Sequence, residues 1–160
     1  MFVEAALAGI IIGYIRGGRL SNLKGLPINH FWAVFVAFVL QFSLRWLPDV
    51  SVYWRVLLHL LSYLFIFVFV LVNFKPSGMK IIGLGVLLNF LVIAANHGAM
   101  PVSAAGMSRE VVQQLQAGGD GIHSLLTEQA RLAFLADIIK IKNPVHGKVS
   151  WFSIGDLIMD

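Results

Sequence analysis

The stretch "NFLVIAANHGAMPVSAAGM", Asn89 to Met107, decides how this chain is read. It starts as a run apolar enough to enter a membrane, then stops at Asn96, His97, Gly98 and Pro101 and resumes in small residues instead of a charged loop. Gly98 tolerates non-helical backbone, and Pro101 lacks the amide hydrogen that an interior helical position needs. The helix is therefore expected to break close to Asn96, leaving Gly98 to Ser103 non-helical. Asn96 would bond carbonyls released at the helix end, and Ser103 would cap the turn that follows. Irregular backbone is tolerated at membrane depth only when buried in protein or lining a cavity. The segment is thus expected to cover a pocket, with a helix that simply ends at the surface as the plainer alternative.

Composition places this stretch in context. Of 160 residues, 58% are hydrophobic and 12% charged, with a mean hydropathy of +0.82. Soluble domains carry about 25% charged residues, so the chain reads as an integral membrane protein. It has no cysteine, which excludes disulfides, thiolate metal sites and a thiol nucleophile. The net charge of +4 comes from 12 Lys and Arg against 8 Asp and Glu. These bases flank hydrophobic runs, so they point to topology and not to nucleic acid. The first run starts at Met1 with no basic region before it and no small-residue cleavage site, and is read as a retained helix.

Four hydrophobic segments are expected as helices: Phe2–Ile15, Phe31–Leu47, Val52–Val72 and Ile81–Ala95. A span needs roughly 17–25 residues, so the third fits well, the second is adequate, and the first and fourth are short. The loop after the first carries Arg16, Arg19 and Lys24, and the loop after the third carries Lys75 and Lys80. The positive-inside rule puts both in the cytoplasm and the N-terminus outside. Trp46, Tyr53, Trp54 and Trp151 then mark the outer interface, and Trp32 the inner one. Beyond Ala95, "MSREVVQQLQAGG" reads as a short amphipathic helix capped by Ser108, with an apolar face of Val111, Val112 and Leu115 and an end at Gly118. "SLLTEQARLAFLADIIKI" reads as a second cap helix, and "VSWFSIGDLIMD" is too short to span. The expected fold is an all-α polytopic membrane bundle forming a single domain. Residues 1–95 would be four spanning helices, and residues 96–160 a broken segment with amphipathic cap helices.

Polar residues inside the runs suggest where a site lies, because ionisable groups in spans usually face a bundle interior or a water-filled cavity. Arg55, His59 and Ser62 share one stripe of the third helix, Gln41 and Arg45 lie four apart on the second, and Asn89 and Asn96 seven apart on the fourth. Glu4 sits on the first turn of the first helix. The expected outer-half pocket gathers Gln41, Arg45, Arg55, His59, Asn89, Asn96, His97, Pro101 and Ser103. Two arginines against one Glu would suit an anion. Each residue alone has a plain reading as helix packing or a snorkelling arginine. An enzyme would need pairs such as His97 with Asp137 or His123 with Asp120. No HExxH, nucleophile elbow or phosphate-binding glycine loop accompanies them, and no catalytic residue, metal or cofactor is expected. "GLG" at Gly83 to Gly85 reads as helix packing through small residues.

The pieces "GGRLSNL", Gln41, "SY" at Ser62 and Tyr63, "LNFLVIAAN", "MPVSA", "FLADII" and "SIGD" touch most of the chain. Together they resemble a bacterial family of small integral membrane proteins known as a domain of unknown function. The resemblance implies membrane location and identifies no ligand. It also implies a Gly where this chain has His97 and a base where it has Ala99, which argues against catalysis by His97. Relatives of that kind continue past "SIGD" into a last hydrophobic span, so this chain is expected to be a shortened version lacking a fifth helix. The expected function is a non-enzymatic, multi-pass protein of the bacterial cytoplasmic membrane that binds or translocates a small amphipathic anion or lipid headgroup. The alternatives are a structural or assembly subunit and an intramembrane lipid-modifying enzyme. Expected partners are membrane lipids, with other membrane subunits or further copies of the chain, and no nucleic acid.

Overall fold

The computed structural model describes residues 2–46, 51–117, 121–142, 147 and 149–160, and within these not the side chains of residues 2–4, 23, 45 and 77. Helices α1 (Phe2–Ile15), α2 (Phe31–Trp46), α3 (Val52–Val72) and α4 (Ser77–Ala95) occupy the four apolar runs. Helix α4 starts earlier than the expected Ile81 because Pro76, extended at φ −61° and ψ 134°, is its N-cap. The expected end of the second helix, Leu47, lies outside the described residues.

Of the four expected spans, two reach the length and hydropathy of a membrane-crossing helix among the described residues. Val52–Val72, with 21 residues, and Gly78–Ala95, with 18, are long and apolar enough to cross a membrane. At about 1.5 Å per residue, α1 and α2 rise only about 21 and 24 Å, short of a hydrocarbon core of about 30 Å. Within the protein, 17% of the most apolar window of α3 and 33% of that of α4 is buried. A helix at the core of a soluble fold would be mostly covered. Here Leu57, Leu64 and Leu71 on α3, and Leu84 and Leu91 on α4, face outward. Helix α2 packs on α3 and α3 on α4, while α1 has no extensive packing with the others among the described residues.

The cap is not all helix, which corrects the all-α expectation. Helix α4 ends at Ala95 and Asn96 caps it, its side chain donating to the Val92 carbonyl at 2.7 Å. His97 and Gly98 then turn left-handed at φ 56° and 78°. A Cβ at Gly98 would lie 2.9 Å from the Val56 backbone, so only glycine lets this turn press against α3. The chain continues as strand β1 (Met100–Val102), as the expected helix break requires. Helix α5 (Arg109–Gln116) forms where expected, with Ser108 Oγ accepting from the Val111 amide. Its expected end, Gly118, lies outside the described residues.

The second expected cap helix, from Ser124 to Ile141, does not form. In its place are strand β2 (His123–Leu125), a loop, a 3₁₀ turn at Ala133–Leu135 and strand β3 (Ile139–Lys142). Leu132 takes φ 53°, which no α-helix accommodates. Along "IKIK" the isoleucines are half-buried and the lysines exposed, a two-residue period that belongs to a strand. β1 pairs in parallel with β2, Met100 opposite His123. β3 pairs antiparallel with β4 (Val149–Phe152), and α6 (Ile154–Met159) follows.

Helix α6 lies against α4 at a point where both backbones lack a side chain. A Cβ at Gly85 would come 2.5 Å from the Gly155 carbonyl, and one at Gly155 would collide with the Asn89 side chain. The small-residue packing expected at "GLG" thus has α6 as its partner at Gly85, and Val70 of α3 at Gly83. Val92, Ile93, Met100, Leu135 and Ala136 form the buried cluster that joins α4 to the cap.

Candidate functional site

At the junction of α2, α3, α4 and the cap lies a cavity of about 110 Å³, bordered by Gln41, His59, Asn89, His123, Asp137 and Asp156, with Tyr63 and Met100. Each polar group arrives there for a local reason. His59 Nδ1 donates to the Gly98 carbonyl at 2.6 Å, so the broken end of α4 fixes the hydrogen on that nitrogen. Gln41 Nε2 donates to Ser62 Oγ at 3.1 Å, and Ser62 in turn donates to the His59 carbonyl at 2.6 Å. One of the two Gln41 N–H donors is thereby used on α3.

Asp137 is held through its backbone. Its amide donates to the Pro101 carbonyl and its carbonyl accepts from the Ser103 amide, both at 3.0 Å. On the opposite edge of β1, the Met100 amide donates to the Ile122 carbonyl at 2.8 Å, the residue before His123. The strand made by the helix break therefore sits between an aspartate and a histidine. It brings His123 Nε2 within 3.7 Å of Asp137 Oδ2. Asp137 is 6% exposed, and its Oδ1 has no hydrogen-bond partner among the described residues. Burial, then the negative charge of Asp156, push its carboxyl up to about 7, and His123 offsets part of that rise.

Asn89 and Asp156 do structural work. Asn89 Nδ2 donates to Asp156 Oδ1 at 2.7 Å, and Asn89 Oδ1 accepts from Ser153 Oγ at 2.8 Å. Ser153 Oγ also accepts from the Asp156 amide at 2.8 Å, and Asp156 Oδ2 from the Ser153 amide at 3.0 Å. The "SIGD" segment is thus a capping box whose acid is also clasped by α4. Both ends of the Asn89 amide are engaged by the cap.

The single pocket expected from sequence divides in two. Gln41, His59 and Asn89 reach the cavity. Asn96, His97 and Pro101 line a separate, more open recess across β1, of about 380 Å³. Ser103 lies in neither; its Oγ accepts from the Ala105 amide, a turn instead of a helix cap. Arg55 is half-buried and also borders neither. The side chains of Arg45 and Glu4 lie outside the described residues. His123 pairs with Asp137, which crosses the two pairings considered from sequence; Asp120 lies outside the described residues. No group of three or more metal-ligating side chains occurs among the described residues.

The pocket expected from sequence left out Tyr63, His123, Asp137 and Asp156; of these, His123 and Asp137 were considered only in other pairings, with Asp120 and His97. Tyr63, Asp137 and Asp156 do fall inside "SY", "FLADII" and "SIGD", three of the pieces that carry the family resemblance.

Residues 25–160 match the model of DUF5317, a family of unknown function. The chain belongs to this family. The matched region covers the cavity and the cap and begins after "GGRLSNL". The chain is also 29% identical over 159 residues to an uncharacterized protein of Thermotoga maritima, an alignment spanning 99% of this chain and 83% of the relative. No solved structure matches.

Proposed function

We propose that this member of the DUF5317 family is a multi-pass protein of a bacterial cytoplasmic membrane that binds a small ammonium-type cation at the Asp137 cavity. Helices α3 and α4 cross the bilayer. The basic residues between α3 and α4 face the cytoplasm, so the start of α3 and the broken end of α4 lie outside. What supports integration is the outward-facing leucine on both long helices.

The observation that carries the ligand reading is the buried, unpartnered Asp137 Oδ1. A buried acceptor without a donor is costly, and a ligand bearing N–H groups and positive charge answers both needs. Gln41, with one N–H used by Ser62, brings its amide to the cavity edge, where its oxygen can accept from the ligand. Among the described residues, two carboxylates border the cavity and no arginine or lysine does, so this space favours a cation over the anion expected from sequence. Its volume of about 110 Å³ fits a solute of a few heavy atoms.

The test is calorimetric titration of the nanodisc-embedded protein with methylammonium and, separately, acetate. Methylammonium should bind above pH 7 and weaken about tenfold per pH unit well below it, as a proton takes Asp137. Asp137→Asn should abolish the binding. Acetate binding as tightly as methylammonium would overturn the proposal.

A further inference from the structure

Across β1 from the cavity, the strand pair presents its alternate residues to the open recess: Pro101 and Ser124 there, Met100 and His123 on the cavity side. The two spaces differ in sign. Arg131 and His97 line the recess together with Ser124, Thr127 and Gln129, and no acidic residue among the described ones does. Ala95, Ala99, Pro101 and Leu125 supply its apolar wall.

Arg131 is not carried on a loosely attached loop. Asn96 Oδ1 accepts from the Arg131 amide at 2.9 Å, and Asn96 Nδ2 donates to the Arg131 carbonyl at 2.8 Å while also bonding Val92. The side-chain amide pairs with one residue's main chain as a neighbouring strand would, and pins the loop to the end of α4. The residues flanking this bracket, His97 and Leu132, both hold positive φ. Backbone of that kind persists only when its surroundings fix it. Gly98 meanwhile abuts Val56 of α3, so the recess lies near the turn of α3 that exposes Tyr53 and Trp54. Such amphipathic rings settle at the headgroup level of a bilayer.

We propose that the recess is a second binding site, for an amphipathic or free phosphate anion. Arg131 supplies the forked, charge-assisted contact, the Ser124, Thr127 and Gln129 side chains supply further donors, and the apolar wall takes the attached glycerol or acyl portion. This site does not depend on what the Asp137 cavity holds.

The test uses the full chain in detergent, titrated with phosphatidylglycerol and read by native mass spectrometry, and titrated separately with inorganic phosphate and read by thermal shift. Arg131→Gln changes a side chain exposed to solvent and leaves the main-chain bracket to Asn96 in place, so the variant should fold. Arg109→Gln, on the exposed face of α5, is the charge-matched control. Arg131→Gln should lower phosphatidylglycerol retention about tenfold, the scale of one charge-assisted hydrogen bond, while Arg109→Gln leaves it unchanged. An Arg131-dependent thermal shift with inorganic phosphate would support the site with free phosphate as its ligand. Arg131-dependent lipid retention without that shift would support it with a lipid headgroup. Both probes held by Arg131→Gln as by the parent chain would overturn it.

Discussion

Asp137 is fixed through its main chain by Pro101 and Ser103, while its side chain bears the electrostatic strain of the cavity. The folded protein raises its carboxyl from 3.8 to about 7, so between those values it binds a proton that the unfolded chain releases. The group is then least unfavourable below pH 4, and its contribution worsens as pH rises, reaching a plateau above 7. That loss is on the order of 4 kcal/mol for a shift of this size. Asp137→Asn should therefore raise the melting temperature at pH 8, with the gain shrinking as pH falls from 7 towards 4. A gain that grows on acidification would show that the aspartate is charged and well paired in the folded state. At this scale the sequence is half legible. Gln41, His59 and Asn89 announce themselves as polar residues in apolar helices. His123 and Asp137 do not, because their meeting depends on the two edges of a three-residue strand and no local spacing encodes it.

Helix α6 has only six residues, too few to persist alone, and owes its place to α4. Gly155→Ala would drive a methyl group into Asn89 and the Gly85 carbonyl, which lies 2.7 Å from that Cβ position. Overpacking of this kind costs about 1–3 kcal/mol, or roughly 2–12 °C in melting temperature for a chain of this size. Amide exchange in α6 should rise with it. Exchange that stays at the parent rate would mean that the helix is held by something other than this contact. Among the elements, the helices are legible because length and hydrophobicity mark them without reference to the rest of the fold. The helix break is legible because Gly98 and Pro101 act through their own backbones. The strands are not: "LADIIKI" is apolar enough to suit a helix face. What decides against a helix is the left-handed Leu132 and the pairing of Asp137 with β1, both set by tertiary contacts.

For the whole molecule, the proposed orientation is open to direct labelling because the chain has no cysteine of its own. Single cysteines at Ser51 and Ser77, beyond the two ends of α3, should behave oppositely towards an impermeant thiol reagent in intact cells. The one at Ser51 should react and the one at Ser77 should not. The reverse pattern would place the cavity and the recess on the cytoplasmic side. Total hydrophobicity was enough to suggest a membrane home, yet the number of crossings was not readable from it. Helix α1 is short in the sequence as in the structure, whereas only the structure gives α4 the length of a span, by starting it at Ser77.

The clasp between α4 and α6 also has a consequence in time. Asn89 bonds Ser153 and Asp156, residues 64 and 67 positions later. At about 5–20 residues per second on the ribosome, roughly 3–13 s separate their synthesis. A newly made α4 must wait through that interval with an amide and a bare glycine surface exposed on one side. Water, a lipid headgroup or the insertion machinery has to occupy that side until the C-terminal segment arrives to displace it. The "SIGD" segment therefore closes this part of the fold, and its arrival at α4 is the step that completes the cavity.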